Sequence, residues 1–454
     1  MYGTLDVGFG TVNNALNSDP NAGSAVLNLP ATGSANAKRV TGMMPSNTTA
    51  SKWGIKGLED MGGGMKTMFT LESALNLPYG TNPNGRLTDS IGNTSSGTGG
   101  IQTNGEGSLQ GQMFDREASL GVSGAWGELK AGRMTTVTAD MIGAYDPMRV
   151  GYSVSPLGFN GGYGGAGFTG EGRWDNSIKY NFTNGPLVAS LGYKTAGTTN
   201  GLSQGSGLAA AFGYETEQSG VKFAVQKTND AMSVSNGVGG CTPTATTAAS
   251  GTAASAATTA ACAANGVTSN TFNSQGSPAV AVTFADTSAA TLAGRYNIDK
   301  TTIKAGYQYI VTKNPANAAY DSASNFPSVT GMPVSYTVTN AFANQRQQKM
   351  MWIGANYQAS PALELSGALY RLSTNAYGTA YQVANNYGTT TDTSSEKIAS
   401  VMANYSFTKR TKVYATAMAS KVAGPAWWGT SGNAATGTVM PNVRTFSTGI
   451  VHSF

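Results

Sequence analysis

Along most of the chain, apolar and polar residues alternate with period two in segments of about ten residues, each bounded by turn-forming residues. At the far end Phe446, Thr448, Ile450, His452 and Phe454 share one face, and Thr445, Ser447, Gly449, Val451 and Ser453 share the other. Between Lys300 and Lys313 the sequence Ile303, Ala305, Tyr307, Tyr309, Val311 alternates with Thr302, Lys304, Gly306, Gln308, Ile310. Such segments predict strands with one greasy face. No run of about 18 apolar residues occurs, so the pattern predicts no membrane-spanning helix. The remaining way to cross a bilayer is a closed barrel, because lipid leaves unpaired backbone N–H and C=O groups unsatisfied. Apolar residues outside and polar residues inside give the dyad pattern of such a barrel.

The connections alternate in length. Short turns fall near Glu59 to Gly63, Gly124 to Gly127, Thr183 to Pro186, Thr216 to Gly220, Asn297 to Lys300, Ala359 to Pro361 and Phe407 to Arg410. Long polar stretches lie at 13–37, 78–110, 134–171, 197–206, 231–279, 314–346, 374–394 and 423–440. Seven short and eight long connections join sixteen strands. That predicts an all-β fold, a transmembrane antiparallel 16-stranded barrel made of one domain over 1–454. Compact soluble domains rarely carry so many long loops.

Composition sharpens this picture. Of 454 residues 60 are Gly, only 11% are charged, and 40% are hydrophobic, including 20 Tyr, 15 Phe and 6 Trp. Disorder is excluded by the aromatic content, and the low charge argues against an ordinary soluble chain. The chain opens at Met1, Tyr2, Gly3 directly in a strand pattern, so an export signal is expected to have been removed or never present. Cys241 and Cys262 flank an Ala/Thr tract with no charge or aromatic residue. A disulfide there would close a loop of roughly 20 residues and remove about 3 kcal/mol of unfolded-state disorder. Such a bond needs an oxidising compartment; two free thiols are the alternative. His452 is the only histidine and has no Ser or metal-ligand constellation around it, so neither an enzyme nor a metal or other cofactor is expected. The basic residues are scattered, which argues against nucleic acid as a partner.

Several strings carry a family resemblance. Tyr2-Gly3-Thr4-Leu5-Asp6-Val7-Gly8, the run from Ser51-Lys52-Trp53-Gly54-Ile55-Lys56-Gly57 through Gly62-Gly63-Gly64-Met65-Lys66, Leu71-Glu72 and the ending Ile450-Val451-His452-Ser453-Phe454 resemble Gram-negative general diffusion porins, especially the anion-preferring proteobacterial branch. Phe114-Asp115-Arg116-Glu117 to Val122 and Trp126-Gly127-Glu128 to Arg133 resemble the family's fourth and fifth strands. The likeness weakens over 230–290 and 314–346.

The resemblance implies a water-filled homotrimeric barrel in the bacterial outer membrane, embedded in outer-membrane lipid and lipopolysaccharide. Its third loop, here 134–171, would fold inward and narrow the channel. Carried over by position, Lys52 stands where relatives have a wall arginine, Arg116 matches the second wall cation, and Arg173 in Gly172-Arg173-Trp174 the third. Tyr145-Asp146-Pro147-Met148 resembles an Asp-Pro-Phe element, making Asp140 and Asp146 the candidate acids facing that wall. Phe454 matches the terminal aromatic that the assembly machinery recognises. Lysine at 52 keeps the charge and loses the planar fork of arginine.

Physics supports these roles independently. Arg or Lys on the lipid face costs roughly 2–4 kcal/mol at mid-bilayer, which places wall cations in the lumen. Rings of such residues favour anions, and a surplus of 28 Lys plus Arg over 23 acids agrees. Asp146 before Pro147 also fits a plain turn role, with its side chain holding the backbone. If Arg116 faces the lumen, strict alternation sends Glu117 outward, an expensive place for a carboxylate except near a rim, interface or bulge. The function read from the sequence is passive diffusion of small hydrophilic solutes and ions, anions preferred. Substrate-specific uptake through the same barrel is the nearest alternative, and a secreted glycan-binding or adhesive β protein is a third.

Overall fold

The computed structural model describes residues 1–15, 38–80, 113–159, 172–195, 205–235, 280–316, 334–338, 344–376, 393–423 and 442–454. In these, eighteen strands form one sheet. The first nine are β1 (Tyr2–Ala15), β2 (Lys38–Pro45), β3 (Lys52–Gly62), β4 (Met65–Ala74), β5 (Glu117–Gly124), β6 (Gly127–Thr135), β7 (Arg173–Asn184), β8 (Leu187–Lys194) and β9 (Gly207–Glu215). The rest are β10 (Ser219–Ser235), β11 (Val280–Ile298), β12 (Thr301–Lys313), β13 (Val334–Val338), β14 (Arg346–Gln358), β15 (Leu363–Thr374), β16 (Ser394–Ser406), β17 (Thr411–Ala423) and β18 (Arg444–Ser453).

Antiparallel pairing of β1 with β18, from Thr4↔Ser453 to Asn13↔Arg444, closes the sheet on itself. Closure joins the first stave to the last, so the barrel wall has no open seam, which lipid demands. On its other side β1 pairs with β3 over Tyr2–Thr4 and with β2 from Val7 upward, so β2 and β3 are two halves of one stave. β13 is an extra strand laid parallel on β11. The barrel therefore has sixteen staves, as the sequence predicts. All seven short turns fall where expected. At the β3–β4 turn Gly62, Gly63 and Gly64 all take positive φ, 81°, 63° and 79°, a run that side-chain-bearing residues would resist.

Alternation is explicit in the exposures. Along β18 Phe446 and Ile450 are outside while Thr445, Ser447 and Val451 are buried. Leu208, Phe212, Leu292, Ile353, Leu369 and Val401 likewise point out. Each would lose about 1.5–3 kcal/mol of burial if that surface met water, so the outer band is built for hydrocarbon.

β10 and β11 run 17 and 19 residues, longer than a bilayer crossing requires. Their pairing resumes after an irregularity between Thr228 and Ala231 and continues to Ser235↔Ala281. At that point Asp230 takes φ 52° and its N–H donates to Asp286 at 3.0 Å. A hairpin that projects beyond the membrane is limited by its own ladder and not by lipid thickness.

The gap between β2 and β3 is filled by a side chain. Asp6 is fully buried and its Oδ2 accepts from the Thr48 N–H (2.7 Å), the Thr48 hydroxyl (2.9 Å) and the Thr49 N–H (2.9 Å). Its Oδ1 accepts from the Tyr414 hydroxyl at 2.7 Å. One carboxylate thus substitutes for missing ladder bonds across residues 46–51. Asp6→Ala would leave buried donors without acceptors and is expected to cost roughly 3–5 kcal/mol, read as earlier unfolding by tryptophan fluorescence in micelles.

The core lies inside the barrel. Helix α1 (Val137–Tyr145) is capped by Thr136, whose hydroxyl accepts from the Ala139 N–H at 3.2 Å. Its buried residues Val137, Met141, Ile142 and Tyr145 join Met148, Val154 and Leu157 against inward-facing Met350, Trp352, Tyr370, Leu372, Met402 and Met418. This helix was not expected from the alternation.

Candidate functional site

Glu72, on the inner face of β4, organises the proposed basic wall. Lys52 Nζ lies 3.0 Å from its Oε2 and Arg116 Nε 2.6 Å from its Oε1. The Tyr2 hydroxyl donates to Oε2 at 2.9 Å. Arg173 Nε donates to the Arg116 carbonyl at 3.0 Å, and Arg133 Nε to the Asp115 carbonyl at 2.8 Å. Arg133 also pairs with Asp175 at 2.6 Å. The guanidinium group of Arg173 lies within electrostatic reach of those of Arg116 and Arg133, with Tyr152 near Arg116 and Arg173. Lys52, Arg116 and Arg173 are thereby brought together.

Local backbone explains how. β5 begins only at Glu117, so Arg116 stands in the preceding bend, outside the pleat. Its N–H is tied to the Glu72 carbonyl at 3.1 Å, and Asp115 accepts from the Ala74 N–H at 2.8 Å. The expectation that Glu117 points outward is therefore corrected. Glu117 pairs in register with Glu72 and accepts from the Ser119 hydroxyl at 2.6 Å, on the inner face. Gly132 at φ 129° and a register shift between Gly132 and Met134 re-aim Arg133 inward.

The candidate acids are placed differently from expectation. Asp146 does not face the wall. It is completely buried, and its Oδ1 accepts from the Met148 N–H (3.2 Å) and the Tyr370 hydroxyl (2.6 Å). Its Oδ2 accepts from the Val150 N–H (2.7 Å) and the Ser155 hydroxyl (2.7 Å). Burial pushes this carboxyl above its usual range, against the pull of those hydrogen bonds. The turn role is the one the structure fits. Asp140 is partly exposed and pairs with Lys179 at 2.7 Å, on the same side as α1's start. The acids nearest the arginines are Glu72 on Arg116, Asp175 on Arg133, and Asp115, in the bend before β5, beside Arg116 and Arg173.

The segment after β6 is anchored on inward-facing side chains. Trp352 Nε1 donates to the Tyr145 carbonyl (3.1 Å), Asn356 to the Pro147 carbonyl (2.8 Å) and Ser400 to the Val154 carbonyl (2.6 Å). Lys304 donates to the Ala144 carbonyl at 2.8 Å, and Arg149 pairs with Glu364 at 2.5 Å. The Tyr145 hydroxyl bonds Glu215, which also holds Arg295 at 3.1 Å. Burial and that carboxylate push the Tyr145 hydroxyl well above its ordinary value.

Phe454 exchanges backbone hydrogen bonds with Gly3, both 3.1 Å, so the last residue helps close the seam while its ring stays exposed. Cys241 and Cys262 lie outside the described residues. Among the described residues no group of three or more His, Cys, Asp or Glu is arranged to hold a metal.

Residues 1–376 match the Gram-negative porin family. The chain belongs to that family. This porin is 28% identical over 140 residues to an outer membrane porin protein of Bordetella pertussis, covering 31% of the chain and 29% of the relative. It is 28% identical over 195 residues to outer membrane porin protein 32 of Delftia acidovorans, covering 41% and 48%. The matches thus span less than half of these curated relatives. Among solved structures, an anion-selective porin from Comamonas acidovorans superposes over 100% of this porin and 98% of its own chain, with TM-score 0.59 and 15% identity. The outer membrane channel DcaP of Acinetobacter baumannii gives TM-score 0.52 at 11% identity over 100% and 96%. Both show the fold. Family membership places this porin in the bacterial outer membrane.

Sequence reasoning missed Arg133, Glu72, Asp175 and Lys179 as wall residues. Glu72 was legible: counting back from the glycine turn pairs Gly54 with Glu72, beside Lys52. Arg133 was not, because its bulge breaks the alternation.

Proposed function

We propose that this porin is a passive channel for small hydrophilic solutes and ions, with anions preferred. The carrying observation is the trio Arg116, Arg133 and Arg173 on one inner wall, Arg173 bonded to the Arg116 carbonyl and Arg133 to the adjoining Asp115 carbonyl, beside the segment that starts at Thr136. Like charges held together lower the energy of an anion passing them and raise that of a cation. Segment 136–158 is the piece of the third loop that narrows the conduit, and Lys52, Arg116 and Arg173 line it with Arg133. Glu72 tempers the wall by neutralising part of it. The barrel assembles as a homotrimer in lipopolysaccharide-containing membrane; relatives named as outer membrane porins support the membrane setting. Phe454 serves as the assembly-signal terminus, and Cys241 and Cys262 are assigned as a disulfide pair.

Proteoliposome swelling tests this. Rates should fall smoothly with solute size, without saturation, and a small monoanion should enter faster than a neutral solute of equal mass. Saturable entry of one solute alone would favour substrate-specific uptake. Glu72→Gln removes one negative charge from the wall and is expected to raise chloride over potassium permeability about fivefold at low salt, read from reversal potentials.

A further inference from the structure

A second group of basic side chains stands on the inner face close to the short turns. Lys412 is the second residue of β17, Lys304 the fourth of β12, and Arg295 lies three residues before the end of β11. Arg116, Arg133 and Arg173 sit at the other ends of their strands, where β5 and β7 begin and β6 closes. The two groups are therefore at different levels of the conduit. Arg149 joins the second group from segment 136–158: it lies within electrostatic reach of Lys304 and Lys412, and Glu364 on β15 is within reach of both lysines. The segment carries three charged residues. Asp140 is held by Lys179, Asp146 is buried, and Arg149 is exposed. Where the sequence suggests acids facing the wall, the far end of the segment presents a cation to the lumen.

The backbone that presents Arg149 is strained. Arg149 and Val150 take φ 54° and 58°, the left-handed region that a β-branched residue resists most. The turn is nonetheless closed tightly: the Arg149 N–H donates to the Asp146 carbonyl at 3.2 Å and the Val150 N–H to Asp146 Oδ2 at 2.7 Å. Gly158 packs so closely behind it that a Cβ there would lie 2.4 Å from the Val150 carbonyl oxygen. Strain of this kind persists where its surroundings enforce it, and it gathers at ligand sites. The acids nearby are already engaged. Glu364 accepts from Arg149 Nη2 at 2.5 Å and from Asn404 at 3.3 Å, and it is the less exposed of the ion pair, 18% against 46%. Glu215 holds Arg295 and the Tyr145 hydroxyl, and Asp6 and Asp146 each accept from four donors of their own. Lys304 donates to the Ala144 and Asp146 carbonyls, and among the described residues Lys412 has no ion pair. The charge that meets water here is thus cationic. A planar fork beside two ammonium groups suits the oxygens of a doubly charged oxyanion.

We propose that Arg149, Lys304 and Lys412 form a second anion-binding station, on the short-turn side of segment 136–158, which takes tetrahedral dianions of the phosphate class. The inference deepens the anion reading of the channel and rests on it. The test records chloride current through the purified oligomer in a planar bilayer while inorganic phosphate is added at about pH 8, where most of it carries two charges. Phosphate should block the parent's current reversibly, and nitrate should not. Arg149→Gln should raise the half-blocking phosphate concentration about tenfold, the scale of one lost bond to a charged group. Glu364→Gln should lower it, because the guanidinium is then released from its acid. Lys412→Gln should raise it by a smaller factor, and Lys300→Gln, on the β11–β12 turn, should leave it unchanged. A merely loosened fold would move Arg149→Gln and Glu364→Gln in the same direction, so their opposite shifts keep the result readable. Block should survive Arg116→Ala/Arg173→Ala, since the station uses neither residue. Equal half-block in the parent, Arg149→Gln and Lys412→Gln would overturn the proposal. Loss of block in the Arg116→Ala/Arg173→Ala channel would overturn it too, by placing phosphate on the wall, as would nitrate blocking as strongly as phosphate. A parent without chloride preference would sink the anion reading itself, whereas a chloride-preferring parent indifferent to phosphate would sink the station alone.

Discussion

Replacing Arg116 and Arg173 together by alanine is expected to collapse the anion preference and move reversal potentials toward the cation side. At about 8 Å through water-like dielectric, one unit charge is worth about 0.5 kcal/mol, or a little over twofold in local ion occupancy. Anions lose that factor and cations gain it, so each removed charge changes the permeability ratio about fivefold at low salt, and less as screening grows. Arg116→Ala has a second effect. It releases Glu72 from its 2.6 Å partner and presents that carboxylate to the conduit with only Lys52 and Tyr2 to hold it. The double variant should therefore fall further than two charges alone require, whereas adding Glu72→Gln should recover part of the loss. Reversal potentials in a tenfold salt gradient measure all three. An unchanged potential in the double variant would remove these residues from the selectivity wall.

Asp146→Ala is expected to have the largest structural effect in the lumen. Its carboxylate gathers Met148, Val150, Ser155 and Tyr370, joining the end of α1, the following turn and the far wall in one buried point. Removing it strands donors away from water at roughly 3–5 kcal/mol. Segment 136–158 should then loosen from Tyr370, and single-channel steps should become larger and noisier. Asp146→Asn keeps one acceptor oxygen and should fall between the two. A variant with parental conductance and parental thermal stability would show that Trp352, Asn356 and Ser400 suffice to hold the segment.

The barrel was legible because lipid imposes a two-sided rule on every strand. Phe446 and Ile450 outside against Ser447 and Val451 inside repeat, in exposure, what alternation alone says. Turns were legible because Gly62–Gly64 can take the positive φ that side-chain-bearing residues resist, and the other short connections carry turn-forming residues. The wall was half legible. Lys52, Arg116 and Arg173 meet, but their neighbours depend on register and bulges that a one-dimensional pattern does not encode, as Glu117 and Arg133 show. Asp146 illustrates a second limit: an acid before proline reads equally well as a pore charge or a turn staple until the partners of its oxygens are known. The core inside the lumen was illegible for a related reason. Met350, Trp352, Tyr370 and Met402 occupy positions where alternation predicts polar residues, and only the helix and turn of 136–158 account for them.

A planar-bilayer recording of the purified oligomer addresses the whole picture at once, because it asks whether the polar side of the sheet encloses a wet path. Stepwise ohmic conductance, with a zero-current potential on the chloride side in a potassium chloride gradient, is the expected record. Absence of steps, or a potential on the potassium side, would contradict it.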